Sequence, residues 1–469
     1  MDKSDLDKIN RAYVDGDGID PYHTEFLPLT QKHGKSICGA PWSSFIFEST
    51  GDIKFCCMAG RGVHGDLREG DINLKNILNS EVAKKVRLNF LNGHMEERRT
   101  GKIELWTGSI DEKYCDTCWE LEHHYHVPAN PRVSNTDWAV SVLDDLIKHT
   151  DETGYMHEQK PVWLDIMFSN KCNFACMGCH ISNSTTIGKY ITAYDIRDTH
   201  RDIRESFTED ECLESKVDAD GLIDYIIEHK DTIIHIHFQG GEPFMMPEVY
   251  QTMDRLIEND LHKPGGVYIW CHTNGSIRTY KGIDIVDKYL SKWEDRFRIT
   301  MSHDGSGPIG EYVRYGYKDK KWIQTYNRLM DASCQVNIQH SINIFNILHQ
   351  KECLEWYIEN CSLDQWTGLT MNPWNDIFRF ENIIVVPQLR ENALQILHQC
   401  IDRCKQLGIF ENGNPYYQYI SSLEVKEKTI TDFEKEAFVN SILKFDEMRN
   451  TDFHKTFPEL KLHWDFCNA

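Results

Sequence analysis

The alternation of secondary structure after residue 160 limits the fold more than any other feature of the sequence. Short runs rich in β-forming residues alternate there with segments of helical apolar spacing. The predicted strands span residues 162–169, 233–239, 267–273, 298–304, 336–345 and 383–386. The helices predicted between them span residues 221–229, 247–259, 283–293, 322–332 and 352–360. Strands separated by helices pair in parallel, so the sequence predicts an α/β fold with a partial (β/α)6 TIM-like barrel.

Each of these strands carries one polar face. In the second strand His235 and His237 alternate with apolar residues such as Ile236, and the fourth and fifth strands follow the same pattern. A closed barrel fills its interior with branched apolar residues, so polar faces favour an interior that binds a ligand. Two alternatives stay open: an antiparallel sheet with one solvated face, and hydrogen-bonded core positions for His235 and His237.

The cysteine content requires an explanation other than disulfides. The chain has 469 residues and 16 cysteines, and it contains no apolar targeting segment and no membrane-spanning run. We therefore expect a cytoplasmic protein, whose compartment keeps thiols reduced. The formal net charge of −22 disfavours nucleic acid and anionic membranes as partners.

Changes in pattern along the chain predict four regions. They are a polar lead-in over residues 1–36, a cysteine-containing module over 37–150, the barrel over 160–390 and C-terminal helices over 391–469. Further helices are predicted over residues 81–91, 137–148, 389–407 and 432–449. The last two carry no motif.

Three cysteines follow the first predicted strand. Cys172, Cys176 and Cys179 have the spacing C-x3-C-x2-C, and the C-terminal ends of barrel strands carry catalytic residues. Three thiolates leave a tetrahedral zinc site one ligand short, but they can bind three corners of a [4Fe–4S] cube. The fourth iron is then open to a small ligand. A structural zinc site is the alternative.

A glycine-rich turn follows the second strand. Its residues are Gly240, Gly241, Glu242 and Pro243. The two glycines let the backbone approach a ligand closely, and the carboxylate can accept hydrogen bonds from an ammonium group. The position of this turn, one strand after the three cysteines, indicates a binding site. His272, Thr273 and Asn274, at the end of the third strand, either border this site or form a turn with Gly275.

Together these motifs resemble the radical S-adenosylmethionine (SAM) superfamily. The resemblance implies that the open iron chelates the amino and carboxylate groups of SAM. One electron from the cluster then breaks a sulfur–carbon bond and releases a 5′-deoxyadenosyl radical. It also implies a reductant such as flavodoxin or ferredoxin, and it assigns the turn at Glu242 to the methionine amino group. Gly178 departs from the family pattern, in which an aromatic residue or methionine precedes the third cysteine.

The resemblance assigns further polar residues in the barrel. Ser302 and Asp304, on the fourth strand, resemble the family's ribose-binding strand, and Asn343 on the fifth strand is a similar candidate. Arg314 is a candidate for a bidentate contact with a carboxylate of the cofactor or of the substrate. A surface ion pair is the alternative interpretation of Arg314.

A second cysteine pattern precedes the barrel. It runs C-x12-G-x4-C from Cys38 to Cys56 and continues as C-x2-C at Cys115 and Cys118. This pattern resembles the twitch module, a shorter relative of the SPASM auxiliary-cluster domain, placed here N-terminally. The resemblance implies that these four cysteines bind a second [4Fe–4S] cluster, with Cys57 as an alternative to Cys56. Zinc uses the same ligands and stays open as the metal.

The sequence therefore predicts an oxidoreductase or modifying enzyme that abstracts hydrogen with a carbon-centred radical. Relatives with an auxiliary cluster domain often act on a side chain of a peptide or protein, which is our first expectation for the substrate. A small-molecule substrate also fits. The alternative class is a non-catalytic protein with structural or redox-sensing zinc or iron–sulfur sites, which would not require the turn at Glu242.

Overall fold

A computed structural model describes the chain over residues 36–49, 51–56, 65–66, 78–99, 115, 118, 139, 142–179, 183–193, 217–332, 334–362, 369–373, 386–409, 416–417, 420, 423 and 431–468. The chain forms two compact units. The first comprises residues 1–168, 216–238 and 250–269, and the second comprises residues 169–215, 239–249 and 270–469.

Helices and strands alternate through the region where the sequence predicts a barrel. The strands are β1 Ser44–Phe47, β2 Asp52–Lys54, β3 Gly65–Asp66, β4 Trp163–Ile166, β5 Ala175–Cys176, β6 His235–Phe238, β7 Tyr268–Thr273, β8 Thr279–Tyr280, β9 Ile283–Asp284, β10 Phe297–Ser302, β11 Arg314–Tyr315, β12 Gln335–Ile342 and β13 Leu369–Pro373. The helices are α1 Ala40–Ser43, α2 Glu81–Leu91, α3 His94–Arg99, α4 Leu143–Lys148, α5 Thr185–Ala193, α6 Ala219–Glu228, α7 Pro247–Glu258, α8 Ile285–Lys288, α9 Gly307–Val313, α10 Asp319–Asp331, α11 Gln350–Asn360, α12 Pro387–Leu407, α13 Asp432–Arg449, α14 Phe453–Thr456 and α15 Lys461–Cys467. Among the helices of the described ranges, none combines the length and apolar character that crossing a membrane requires.

The first unit is built on five strands in the order β6-β4-β1-β2-β3. β6, β4 and β1 pair in parallel, with Leu164 opposite Ile236 on one side and Phe45 on the other. β2 and β3 continue the sheet in antiparallel orientation. Since β1 belongs to the predicted N-terminal module, a strand of that module extends the sheet that β4 begins. The division between module and barrel at residues 150–160 stays a prediction.

Helix α2 organises the N-terminal part of the first unit. The Ser80 hydroxyl accepts a hydrogen bond from the Ala83 N–H at 3.2 Å and caps the helix, as is usual for serine at this position. Val86 and Phe90, one turn apart, are buried. The chain leaves the helix at Asn92 and then turns at Gly93, whose φ is +78°. The predicted helix over 81–91 is therefore confirmed.

In the second unit, four strands lie side by side in the order β7-β10-β12-β13. β10, β12 and β13 pair in parallel, with Thr300 opposite Asn337. This confirms the predicted α/β class, and the antiparallel alternative is wrong for these strands. Ile299 and Met301 are buried on one face of β10, whereas Ser302 on its polar face is half-buried.

Two predicted elements differ from the structure. The last parallel strand is β13, whereas the predicted strand over residues 383–386 lies outside the described residues except for Val386, which precedes α12. The sequence signal for β13 is weak because the strand ends in proline, a residue that is uncommon in strands. Proline is tolerated in strands at the edge of a sheet. Of the helix predicted over residues 283–293, only Ile285–Lys288 (α8) is α-helical. Asp284 caps its start, and 3₁₀ turns and the left-handed Glu294 (φ +54°) follow.

Candidate active site

The cysteine loop begins the second unit and is anchored by a short β-ribbon. Cys176 lies in β5, which pairs antiparallel with β11 so that Cys176 stands opposite Arg314. The Met177 N–H donates to the Val313 carbonyl at 2.8 Å, and the Phe174 N–H donates to Cys172 Sγ at 3.4 Å. All three cysteines of the loop are half-buried. The loop is therefore anchored to the segment of Val313 and Arg314 by backbone pairing, and its thiols are partly exposed.

The thiols of this loop are in a low-dielectric environment. Burial raises the pKa of Cys172 to about 12, and burial also raises the pKa of Cys176. For Cys176, the positive charge of Arg314 acts in the opposite direction. Such thiols stay protonated at neutral pH until a metal displaces the protons.

The glycine turn is interlocked with the cysteine loop. The Gly241 N–H donates to the Ser169 carbonyl at 3.2 Å, and the Glu242 N–H donates to the Lys171 carbonyl at 2.8 Å. A Cβ atom at Gly241 would lie 2.2 Å from the Lys171 oxygen, so only glycine fits. Gly240 has φ +117°, and Pro243 begins a 3₁₀ turn directly after Glu242. The turn thus lies against the residue that precedes Cys172.

The carboxylate of Glu242 is fully buried and fixed on both oxygens. Oε1 accepts hydrogen bonds from Thr273 Oγ1 at 2.8 Å and the Phe244 N–H at 3.2 Å, and Oε2 accepts one from the Asn274 N–H at 2.8 Å. Burial raises the pKa of Glu242 to about 7, although the hydrogen bonds from Asn274 and Thr273 oppose that shift. A cationic ligand group would favour the ionised form.

Asn274 connects the turn at Glu242 to the first cysteine. Its Nδ2 donates to Asn173 Oδ1 at 2.9 Å and lies 3.9 Å from Cys172 Sγ. Asn173 in turn donates to Ser276 Oγ at 3.0 Å. The sequence left Thr273 and Asn274 as either site or turn residues. Gly275 does turn the chain directly after them, with φ +73°, and their role at a binding site stays a prediction.

Arg314 and Asp304 form a buried ion pair. Arg314 Nη1 donates to Asp304 Oδ2 at 2.6 Å, and Asp304 Oδ1 accepts from the Ser341 N–H at 2.8 Å. The surface ion pair that the sequence left open is wrong, because the Asp304 side chain is 1% exposed. Arg314 Nε is also buried and has no hydrogen-bond acceptor among the described residues. The guanidinium can therefore bind a second acceptor.

Ser302 and Asn343, the other two predicted cofactor contacts, differ in how far their side chains are buried and hydrogen-bonded. Ser302 ends β10, and its side chain is half-buried. Asn343 is buried, its Nδ2 donates to the Ser341 carbonyl at 3.0 Å and its Oδ1 accepts from the Phe345 N–H at 2.9 Å. Ser302 is open to a ligand, whereas the Asn343 amide shapes the turn after β12. A cofactor contact of either residue stays a prediction.

The histidines of β6 lie in the first unit. His237 Nδ1 is 2.6 Å from Asp165 Oδ1, and Trp163 Nε1 donates to the same oxygen at 2.8 Å. His237 is therefore the hydrogen-bonded core residue that the sequence allowed. Burial lowers the pKa of His235 to about 4.

The N-terminal cysteines are also in the first unit. Cys38, Cys56 and Cys118 are buried, and Cys115 is half-buried; Cys57 lies outside the described residues. Cys38 precedes α1 and Cys56 follows β2. Their use as one ligand set stays a prediction.

Arg87, buried on α2, connects three segments of the first unit. It donates to the carbonyls of Pro41 and Gly154 and to Asn79 Oδ1 at 2.8 to 3.0 Å. Sequence reasoning did not identify this residue, since its partners are distant along the chain.

Comparison with known families gives two matches. Residues 166–356 match the radical SAM superfamily, and residues 38–119 match an iron–sulfur cluster-binding domain of the SPASM type. The second match precedes the first along the chain, as the twitch resemblance implied. A radical SAM domain implies a [4Fe–4S] cluster and SAM, and the SPASM domain implies an auxiliary iron–sulfur cluster.

Solved structures to which this chain is similar include native anSMEcpe with bound AdoMet. That structure is 15% identical over 53% of this chain and 62% of its own, with a TM-score of 0.36. Streptococcus suis SuiB bound to S-adenosylmethionine is 12% identical over 76% of this chain and 70% of its own, with a TM-score of 0.38. SuiB bound to the precursor peptide SuiA covers the same shares at 12% identity, with a TM-score of 0.37. No curated protein sequence matches this chain significantly.

Proposed function

Because this chain carries a radical SAM domain preceded by an iron–sulfur cluster-binding domain, we propose that it cleaves SAM reductively and abstracts hydrogen from a peptide or protein side chain. One observation carries the proposal. The loop of Cys172, the turn at Glu242 and the segment at Asn274 form one hydrogen-bonded unit. When bound, a [4Fe–4S] cluster supplies the electron that breaks a sulfur–carbon bond of SAM.

The cysteine loop fits such a cluster. Its three thiols are half-buried, and burial raises the pKa of Cys172 and Cys176, which keeps these two neutral in the metal-free chain. Metal binding converts them to thiolates and releases protons. Arg314, opposite Cys176 in the ribbon, adds a positive charge that offsets the negative charge of bound thiolates. We assign Cys172, Cys176 and Cys179 as the three ligands.

Three side chains are suited to orient SAM. Glu242 offers a buried carboxylate to the methionine ammonium. Burial raises its pKa to about 7, and this cation would lower the pKa again and keep the carboxylate ionised. Arg314 Nε, buried without a described acceptor, is suited to the methionine carboxylate. Ser302 offers its hydroxyl to the ribose. Asp304 acts through Arg314, whose guanidinium it orients, instead of contacting the ribose.

We propose that the N-terminal domain binds an auxiliary [4Fe–4S] cluster through Cys38, Cys56, Cys115 and Cys118. The match over 38–119 supports iron–sulfur over zinc, since that family binds clusters. Four thiolates would close the cluster to substrate and suit it to electron transfer. The same domain supports a peptide or protein as the substrate, because relatives with auxiliary clusters often modify peptides. A flavodoxin or ferredoxin is the proposed reductant.

Metal content and its response to SAM test the proposal. The anaerobically reconstituted wild type should contain about eight irons, and a Cys172→Ala, Cys176→Ala, Cys179→Ala variant about four. The electron paramagnetic resonance (EPR) signal of the reduced wild type should change when SAM is added, and that of the triple variant should not. Cys334→Ala, which removes a buried cysteine before β12, is the matched control and should behave like the wild type. Bound zinc, or an EPR signal that ignores SAM, would contradict the proposal.

A further inference from the structure

One residue of the C-terminal helices contacts the cysteine loop. The sequence shows no motif in these helices. Helix α13 ends at Arg449, which is 5% exposed. Its Nη2 donates to the Ala175 carbonyl, and its Nη1 lies 2.9 Å from Met177 Sδ. These two residues flank Cys176 on either side. The guanidinium is therefore fixed to the backbone segment that carries the central cysteine.

Arg449 contacts the other side of the ribbon as well. Its Nη1 lies 3.4 Å from the carbonyl of Tyr312, just before β11, and its guanidinium lies 5.1 Å from the ring centroid of Tyr315. The ring of Phe445, one turn back on α13, is 4.3 Å away on another side. Arg449 thus connects α13, β5 and β11. A guanidinium between aromatic rings is favoured electrostatically and loses little freedom when it donates.

The end of α13 is itself fixed, so the position of Arg449 does not depend on the loop alone. Asp446 accepts hydrogen bonds from Thr451 Oγ1 and from the Phe453 N–H, both at 2.7 Å. Asn450 adopts the left-handed conformation, with φ +51°, and ends the helix. Both Asp446 carboxylate oxygens are thus used by the turn into α14. Arg449 itself donates to the carbonyl oxygens that flank the ribbon, and its positive charge acts on Cys176.

From this geometry we propose that Arg449 is a positioning residue of the cysteine loop, which fixes the backbone around Cys176 and makes a bound cluster easier to reduce. The second part rests on the proposed function. Reduction adds one electron to the cluster, and a buried positive charge nearby stabilises that added negative charge. The first part concerns the loop alone and holds in the metal-free chain.

Two substitutions distinguish the positioning of the loop from the effect on cluster reduction. Arg449→Met keeps much of the stem but removes the charge and the donors, whereas Arg449→Lys keeps the charge and loses the forked donation to Ala175 and Tyr312. Arg403→Met is the matched control. Arg403 lies on α12, pairs with Glu355 at 2.8 Å, and its side chain is 37% exposed.

Hydrogen exchange of residues 172–179 in the metal-free chain measures the positioning. Arg449→Met and Arg449→Lys should both exchange at least tenfold faster than the wild type in this segment, and Arg403→Met should not. Equal exchange in the wild type and both Arg449 variants would overturn the positioning role. If Arg449→Met does not fold, Arg449→Lys alone decides this point.

A redox titration followed by EPR measures the effect on the cluster whose signal responds to SAM. At a fixed potential, Arg449→Met should lower the reduced-to-oxidised ratio at least threefold, which corresponds to about 28 mV for a one-electron couple. Arg449→Lys should lie between Arg449→Met and the wild type. Unchanged ratios in Arg449→Met would overturn the electrostatic role. A wild type without any SAM-responsive cluster would overturn the proposed function instead, and the exchange result would still decide the positioning role.

Discussion

The two cysteine-bearing regions differ in how far apart their thiols lie along the chain. In the second unit Cys172, Cys176 and Cys179 lie in one loop, half-buried. In the first unit the four cysteines come from residues 38–118, and three of them are buried. Cysteines of one short loop are close along the chain, whereas cysteines spread over residues 38–118 can meet only through tertiary structure. The comparison shows that the same residue type is positioned locally in one unit and globally in the other.

A buried arginine stabilises the backbone in each unit. Arg87 donates to three neutral oxygens from separate segments of the first unit, and burial lowers its pKa to about 10. Arg449 donates to carbonyls on both sides of the β5–β11 ribbon in the second unit. Guanidinium groups suit this task because their donors point in fixed directions. Arg87 therefore connects segments of a scaffold, whereas Arg449 contacts the backbone of the cysteine loop directly.

The largest effect on ligand affinity is expected where the loop and the turn interlock. Gly241→Ala should lower SAM affinity at least 100-fold, or about 2.7 kcal/mol, because its Cβ atom would meet the Lys171 oxygen at 2.2 Å. Equilibrium dialysis of the reconstituted protein measures this. Gly265→Ala is the control, since its Cβ atom meets nothing within 4 Å. At φ +87° it should cost about 1 kcal/mol of stability and leave SAM affinity unchanged. Equal affinities for both variants would break the account of the turn.

Removing the arginine of the first unit should affect stability more than chemistry. Arg87→Met leaves the acceptors at Pro41, Gly154 and Asn79 without their donor, so we expect a loss of about 3 kcal/mol in the free energy of unfolding. Urea denaturation of the metal-free chain gives the value. Arg403→Met, which breaks an ion pair at the surface, should cost much less than Arg87→Met. Similar losses for the two variants would mean that Arg87 is not a scaffold residue.

The pH dependence of stability isolates Glu242. Its pKa is raised from 4.5 to about 7, so the folded chain binds a proton that the unfolded chain releases between these values. The stabilisation is complete below pH 4.5 and is lost as pH rises to 7. Relative to Glu242→Gln, the metal-free wild type should lose about 3 kcal/mol over this interval. Glu391→Gln, an exposed carboxylate on α12, should show no such difference from the wild type. A parallel pH profile for the wild type and Glu242→Gln would contradict the buried carboxylate.

The smallest effect concerns the helix that carries Arg87. Ser80→Ala removes the cap of α2 and should cost about 1 kcal/mol in the free energy of unfolding. The exposed Ser291→Ala serves as the control. A cost for Ser80→Ala as large as that for Arg87→Met would indicate that the helix, and not its arginine, organises this part of the first unit.

Much of the second unit could be predicted from the sequence because its signals are local. The cysteine spacing and the turn at Glu242 each occupy a short stretch, and each strand or helix of the alternating pattern is recognised from its own few residues. Long-range contacts left no such signal. Arg449 meets Ala175 only in the folded chain, and nothing around either residue distinguishes it in sequence. Asp304 and Arg314 were both identified, yet their mutual pairing required the structure.

The formation of 5′-deoxyadenosine tests the central claim most directly. The wild-type chain, reconstituted anaerobically with iron and sulfide, is incubated with SAM and dithionite, and the product is measured by chromatography. We expect 5′-deoxyadenosine from the wild type and from Cys334→Ala, and none above background from the variant that lacks Cys172, Cys176 and Cys179. Product in that triple variant, or its absence from a wild type whose EPR signal shows a reduced cluster and bound SAM, would contradict the assignment of this loop as the site of SAM cleavage.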